Sequence, residues 1–450
     1  MDHSKQLGEE KIPALLLKYS IPAIVGMLVN ALYNVVDRIF IGNGIGAAGI
    51  AGITIAFPIM LFIMACGMLI GLGANALISI RLGQQKPKEA ELIMGNALVL
   101  LIGISLAITG GGLFFLEPVL KVLGASAEVM PYARDYTRII LLGTVFQSIG
   151  FGMNNFIRAE GRPQKAMITM LIGAVVNTVL DPLFIFVFRW GISGAALATI
   201  LAQLVSALWV LHHFFSGSSL LRMRRPNLKL DPDTVKRIAA IGSAPFAMQL
   251  AASLLNVIMN RGLMTHGGDI AVSGMGIVTS VSVLFLMPIF GINQGLQPII
   301  GYNYGAKQFG RVREALKLGI LFATAIVTTG FVITQLFPRE IVSLFNRTDT
   351  ALIDFGAKAV SMFLIFLPVI GFQIVSANYF QAVGKPRHAA FLSLSRQVLV
   401  LIPALLILPG IWGINGILAA GPVSDLVSSV ITGIFILREL KQLTPDQAQA

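Results

Sequence analysis

The sequence predicts an all-α integral membrane protein, in which twelve transmembrane helices form two six-helix bundles related by a pseudo-two-fold axis along the membrane normal. Composition, long apolar segments and an internal repeat all point to this fold class. Of the 450 residues, 56% are hydrophobic and only 12% are charged, whereas a soluble globular domain carries about 25% charged residues. The mean hydropathy of +0.82 also argues against a soluble enzyme. The one cysteine, Cys66, excludes an intrachain disulfide and a cysteine-rich metal site.

Twelve apolar segments reach the length of about 20 residues that a helix needs to cross a bilayer. Prolines such as Pro22 and Pro368 lie inside these segments, where they favour kinks rather than breaks. The predicted spans are 13–37, 51–80, 92–116, 132–157, 166–188, 192–215, 238–261, 271–300, 315–337, 352–380, 390–409 and 413–437.

The chain repeats itself at an offset of 222 or 223 residues. The segment 158–163 (RAEGRP) matches 381–386 (QAVGKP), and 190–194 (WGISG) matches 412–416 (WGING). This offset contains an even number of spans, so the two copies have parallel topology and an axis along the membrane normal. The predicted organisation is an N-lobe at 1–220, a cytoplasmic linker at 221–234 and a C-lobe at 235–450.

The basic residues predict the orientation. Of the 33 Lys and Arg residues, 23 flank one side of the predicted spans, nine flank the other, and Arg396 lies inside a span. Because cytoplasmic loops carry the excess of Lys and Arg, both termini are expected in the cytoplasm. The net charge of +12 is then a topology signal, and no nucleic-acid partner is expected. We expect a multi-pass monomer in the lipid bilayer of the inner (plasma) membrane.

Three carboxylates within the spans are the main candidates, because ionisable groups are costly there and usually functional. They are Asp37, Asp181 and Asp425. Asn34 precedes Asp37 by three residues and Asn177 precedes Asp181 by four, so each pair shares a helix face. Together with Thr199 they form an oxygen-rich set that suits a proton or a hard cation such as Na⁺. The alternative is a set of hydrogen bonds that only tie the helices together.

Four stretches are distinctive: YNVVDRIFIG at 33–42, FPI at 57–59, AEGRP at 159–163 and AVGKP at 382–386. They resemble the multidrug and toxic compound extrusion family, and most closely its prokaryotic Mep-like branch. Their order and spacing cover essentially the whole chain. The resemblance implies a secondary active multidrug antiporter, which exports mostly cationic, amphipathic compounds in exchange for H⁺ or Na⁺ by alternating access.

The resemblance also implies roles for particular residues. Family members with a cation site in the N-lobe use positions that match Asp37, Asn177, Asp181 and Thr199, and a bending proline that matches Pro22. Other members use acidic residues in the seventh and tenth spans. This chain instead has Met259 and Asn260 in the seventh span, and Gln373 and Asn378 in the tenth, where Asp354 lies only at the start. The difference favours ion coupling in the N-lobe.

Polar and aromatic residues within the spans are candidates for a substrate cavity, although packing between helices explains them equally well. Arg396 could instead form a structural salt bridge with Asp425. The candidates for the cavity are Tyr33, Phe57, Phe156, Gln249, Asn256, Gln294 and Arg396.

Two other functions remain open. A flippase for a lipid-linked precursor shares the two-lobe plan, but its cavity is expected to be more basic. A membrane enzyme is the weaker alternative, because the histidines are scattered and no phosphate-binding GxxxxGK[ST] motif is present. No cofactor is expected besides the coupling ion.

Overall fold

The computed structural model describes residues 3–217 and 219–443, and within these the side chains of His3, Asn34 and Ala47 are outside the description. The described chain is almost entirely helical and contains no β-strand. Long apolar stretches form helices here because a bilayer offers no water to satisfy the polar groups of the backbone.

Six segments make up the N-lobe. Short helices outside the spans cover Gln6–Glu9 and Leu116–Val122. The fourth segment bends by 53° between its two helices, and the fifth ends in one turn of π-helix. The segments are α1 (Ile12–Gly44), α2 (Ala47–Gly83), α3 (Pro87–Phe114), α4 (Met130–Leu142 with Thr144–Ala159), α5 (Pro163–Pro182 with Leu183–Val187) and α6 (Gly191–Phe215).

Six further segments make up the C-lobe. The helix Pro232–Gly305 turns back at Gly268, whose φ of 63° suits glycine, and this turn separates α7 (232–267) from α8 (269–305). The two helices of the tenth segment meet at 49°. The remaining segments are α9 (Phe309–Leu336), α10 (Thr350–Phe363 with Leu367–Ala382), α11 (Pro386–Leu394, the π-helix Ser395–Leu401 and Ile402–Trp412) and α12 (Ile414–Gln442).

Across residues 3–217 and 219–443 this gives twelve segments of membrane-spanning length, and the predicted all-α fold is confirmed. Most helices extend past the predicted spans, as α1 does at both ends. The loop predicted between the seventh and eighth spans is wrong, because the helix continues to Gly268 and resumes directly after it. The predicted limits of the lobes and linker stay a prediction.

The two lobes meet through reciprocal contacts between α2 and α8. A Cβ atom on Gly83 would overlap the carbonyl oxygen of Tyr302, and one on Gly305 would overlap that of Ile80. These positions differ by the repeat offset, as do Asn75 and Gln297, whose side chains share a hydrogen bond of 2.7 Å. Residues related by a two-fold axis touch each other only at that axis. The axis therefore runs between α2 and α8.

We call the end of the bundle that carries the linker the linker side. Contacts between the lobes begin at Ile24 with Gly291 and at Phe62 with Phe246, and they continue toward the linker side. Toward the opposite side, α1 and α7 carry exposed apolar side chains. We infer that the lobes are closed against each other on the linker side.

Because α2 and α8 approach so closely, the stability of the protein should be sensitive to larger side chains at their contact on the linker side. We expect Gly83→Ala and Gly305→Ala each to destabilise the protein by about 1–3 kcal/mol, because the added methyl group overlaps a main-chain oxygen of the other lobe. The measurement is thermal unfolding of the purified protein in detergent.

The matched control is Gly103→Ala in α3, where a Cβ atom would meet nothing within 4 Å. This control should be neutral or stabilising by about 1 kcal/mol, because alanine favours helix over glycine. Equal unfolding temperatures for Gly83→Ala and Gly103→Ala would show that the approach is not tight.

Candidate functional site

Two aspartates from different helices meet within the N-lobe. Asp37 lies seven residues before the end of α1 and Asp181 lies at the end of the regular part of α5, both toward the side opposite the linker. Helix α1 packs along α5, and this packing brings the two carboxyl groups within electrostatic range of each other. Asp181 is completely buried, and Asp37 is half-buried.

Asn177 completes this group. It lies one turn before Asp181 on α5 and is 2% exposed. Its side-chain Nδ2 donates a hydrogen bond of 3.3 Å to Asp181 Oδ1. Of the predicted ion-site residues, the structure therefore brings Asp37, Asp181 and Asn177 together.

Three oxygen atoms of this group are buried without a hydrogen-bond donor among the described residues. They are Asp37 Oδ1, Asp181 Oδ2 and Asn177 Oδ1. Unsatisfied buried oxygens are costly, and they indicate a bound proton, water or ion that fills the remaining positions. Oxygen ligands of this kind are those that a hard cation prefers. The described residues hold no cluster of three or more His, Cys, Asp or Glu side chains for a resident metal.

Tyr136 is part of the surroundings of this group, and the sequence analysis missed it. It lies on the first helix of α4, is 2% exposed, and is within electrostatic range of both Asp37 and Asp181. Its hydroxyl lies 3.9 Å from the sulfur of Met60. The available signal was a tyrosine inside an apolar span, where a buried hydroxyl group usually needs a polar neighbour.

The remaining ion-site candidates are Thr199 and Asn34. Thr199 is buried on α6, but its hydroxyl donates to the carbonyl oxygen of Ala195 at 3.1 Å on the same helix. No hydrogen bond links it to either aspartate among the described residues. Asn34 lies on α1, but its side chain is outside the described part of the structure.

Pro22 lies inside α1, about four turns from Asp37 toward the linker side. The helix continues without interruption through it. Because proline has no N–H, the carbonyl group of Lys18 lacks its usual helical partner. This is the position in α1 where bending breaks the fewest hydrogen bonds.

Most of the candidates for the substrate cavity are half-buried or exposed. Gln249 and Tyr33 are half-buried, and Phe57 and Asn256 are exposed. The guanidinium group of Arg38 lies 5.8 Å from the centre of the Phe57 ring. Gln294 lies where the lobes meet, and its Nε2 contacts the sulfur of Met27 at 3.7 Å.

Phe156 is fully buried in the main hydrophobic core, toward the linker-side end of α4. Its assignment to a cavity stays a prediction. A span of mostly apolar residues does not reveal which aromatic ring faces the neighbouring helices and which faces a cleft. In this conformation Phe156 contributes to packing.

Arg396 and Asp425 form an ion pair inside the C-lobe. Arg396 Nε lies 2.7 Å from Asp425 Oδ1, and Asp425 is 2% exposed. The hydroxyl of Ser424 donates to the carbonyl oxygen of Arg396, which lies in the π-helical part of α11. A π-helical turn leaves carbonyl groups with altered partners. This geometry favours the salt-bridge alternative over a direct role of Arg396 in substrate binding.

Comparison with known protein families finds one match, which occurs twice. The family model described as MatE matches residues 22–183 and again residues 245–406. The two stretches begin 223 residues apart (245 − 22), in agreement with the repeat seen in the sequence.

Curated relatives align along nearly the whole chain. Multidrug export protein MepA of Staphylococcus aureus (strain MRSA252) is 25% identical over 442 residues, covering 98% of this chain and 97% of that protein. The protein of the same name from Staphylococcus haemolyticus (strain JCSC1435) is 26% identical, with 98% and 96% covered.

Solved structures share the fold. The MATE multidrug transporter DinF-BH is 41% identical, with 96% of each chain covered and a TM-score of 0.89. A MOP superfamily transporter from Pyrococcus furiosus is 24% identical, with 97% of this chain and 98% of that chain covered and a TM-score of 0.91. The second likeness concerns the fold alone.

The family model matches well over half of the chain in two equal stretches, and the curated relatives align with it from end to end. The chain therefore belongs to the MatE family of multidrug efflux transporters.

Proposed function

We propose that the protein exports small, mostly cationic and amphipathic organic compounds in exchange for H⁺ or Na⁺, and that Asp37 and Asp181 form the coupling site. The observation that carries this proposal is that two carboxyl groups from different helices lie within electrostatic range of each other and, with Asn177, leave three buried oxygen atoms without donors. The MepA relatives are named multidrug export proteins and DinF-BH a multidrug transporter, which supports the class of substrate. No enzymatic activity is proposed.

The chemistry of the carboxyl pair explains why an ion controls it. An ionised carboxylate only accepts hydrogen bonds, so two ionised carboxylates in contact repel each other and have no bond to share. A proton between them, or a cation bound to both, removes this repulsion. We therefore assign the close packing of α1 against α5 to the ion-loaded state of the site.

Loss of the ion then favours a different packing of α1. Repulsion between Asp37 and Asp181 pushes α1 away from α5, and Pro22 is the position where α1 bends most easily. The ionised pair attracts a cationic substrate, and an incoming ion displaces this substrate. Ion and substrate therefore compete through a coupling free energy that must be reciprocal. All these residues lie in one lobe of one chain, so a monomer is sufficient.

We also propose that the linker side faces the cytoplasm, because it carries most of the Lys and Arg residues. Lys88 is exposed at the linker-side end of α3. In a Cys66→Ala background, a cysteine introduced by Lys88→Cys should not react with membrane-impermeant thiol reagents in intact cells. Reaction before the cells are opened would reverse the orientation.

Removal of either carboxylate should abolish coupled transport. We expect Asp37→Asn and Asp181→Asn each to lose gradient-driven efflux of the cationic dye ethidium from proteoliposomes, because an amide neither binds the proton in the same way nor repels its neighbour. Imposing a proton gradient alone or a sodium gradient alone identifies the coupling ion in the parent protein.

The matched control is Asp354→Asn in the C-lobe. Asp354 has a side chain that is 61% exposed and pairs with Arg339 at the surface, so this variant should transport as the parent does. Undiminished coupled efflux in both Asp37→Asn and Asp181→Asn would reject the coupling site. Movement of a lipid-linked sugar instead of ethidium by the parent protein would favour the flippase alternative.

A further inference from the structure

The segment before α1 is held by the C-lobe on the linker side. The carbonyl oxygen of Leu7 accepts hydrogen bonds from Asn303 Nδ2 at 2.9 Å and from Arg311 Nη2 at 3.0 Å. The carbonyl oxygen of Glu10 accepts a second bond from Arg311 Nη2 at 2.6 Å. The side chain of Leu7 is completely buried. The C-lobe thus binds both the main chain and an apolar anchor of this segment.

Arg311 is positioned for this role by Asn303. Arg311 lies in the first turn of α9 and Asn303 near the end of α8, and Arg311 Nε donates to Asn303 Oδ1 at 2.8 Å. The Leu7 and Glu10 carbonyl groups belong to the end of the short helix Gln6–Glu9, where carbonyl groups lack helical partners. A guanidinium group satisfies such a helix end well, because it carries a positive charge and several donors.

The same segment is also attached to the N-lobe. Lys18 on α1 donates from Nζ to Gln6 Oε1 at 2.8 Å and pairs with Glu10 Oε1 at 2.8 Å. Residues 6–10 therefore bridge the two lobes, with side chains bound by α1 and main-chain carbonyl groups bound by α8 and α9. The lobes cannot separate on the linker side while both sets of contacts persist.

The linker shows the equivalent arrangement with the lobes exchanged. Asn96 on α3 donates from Nδ2 to the carbonyl oxygens of Asn227 at 3.2 Å and Lys229 at 3.1 Å, and its Oδ1 accepts from the N–H of Asp231 at 2.7 Å. Lys229 follows Leu7 by the repeat offset (229 − 7 = 222). The segment before the first helix of each lobe is thus bound by an asparagine of the other lobe, which donates to main-chain carbonyl groups of the segment.

The start of α7 is fixed where the linker ends. Asp231 caps the helix by accepting hydrogen bonds from the N–H of Thr234 at 2.9 Å and from its hydroxyl at 2.6 Å. These bonds hold the pKa of Asp231 below its usual value. The linker is therefore docked on the N-lobe at Asn96 and fixed to the start of α7, so it bridges the two lobes as residues 6–10 do.

We propose that residues 6–10 form a latch that keeps the linker side closed, and that Arg311 holds it. The segment must leave Arg311 and Asn303 before the lobes separate on this side. Arg311 is a positioning residue in this account, because it touches neither the substrate nor the ion site. The purpose of the latch rests on alternating access in the proposed function, but its contacts and its test do not depend on Asp37 or Asp181.

The test measures the distance between the lobes on the linker side. Spin labels placed at the exposed residues Lys88 on α3 and Lys317 on α9, in a Cys66→Ala background, report this distance by double electron–electron resonance. Arg311→Ala should increase the long-distance population several-fold over the parent. Arg313→Ala, which removes an exposed arginine from the same helix, should leave the distribution unchanged. An unchanged distribution in Arg311→Ala overturns the proposal.

A second variant separates the latch from a general effect of Arg311. Deletion of residues 2–10 should produce the same shift as Arg311→Ala, and Arg311→Ala should then add nothing to it. If Arg311→Ala shifts the distances as much in the deletion variant as in the full chain, Arg311 acts without the segment and the latch proposal is rejected. The distances are measured without substrate, so failure of coupled transport in the aspartate variants leaves this result independent.

Discussion

The close approach of α2 and α8 at the pseudo-two-fold axis is the contact on which the arrangement of the lobes depends. Glycines at 83 and 305 let each helix lie against a main-chain oxygen of the other lobe, because any side chain would overlap it. Small residues at helix contacts have this effect in bilayers, where packing replaces the hydrophobic effect as the driving force. The contact closes the lobes against each other on the linker side.

The carboxyl pair of Asp37 and Asp181 lies far from this contact. Asp37 and Asp181 lie toward the side opposite the linker, and Asp181 is about 27 Å along α5 from its linker-side end. Glycine contacts, the Asn75–Gln297 hydrogen bond and the segment before α1 close the linker side. In the C-lobe, the buried carboxylate of Asp425 is paired with Arg396.

Much of the fold could be predicted from the sequence, because bilayer thickness fixes the length of a span and the repeat fixes how the copies relate. Asp37, Asn177 and Asp181 could be singled out for a similar reason, since few polar groups occur in such apolar segments. Tyr136 and Phe156 could not be placed, because which face of a helix meets a neighbour depends on three-dimensional packing. The same holds for Thr199, whose hydroxyl bonds to its own helix, and for the carbonyl contacts of Arg311, which no side-chain pattern encodes.

The central claim is that ion and substrate compete at the carboxyl pair, and equilibrium binding of ethidium to the purified protein tests it most directly. Lowering the pH from about 8 to about 5, or adding Na⁺, should weaken binding in the parent, because the ion neutralises the carboxylates that attract the substrate. This dependence should disappear in Asp37→Asn, whereas Asp354→Asn should retain it. An affinity in the parent protein that is unchanged by both pH and Na⁺ would contradict the account.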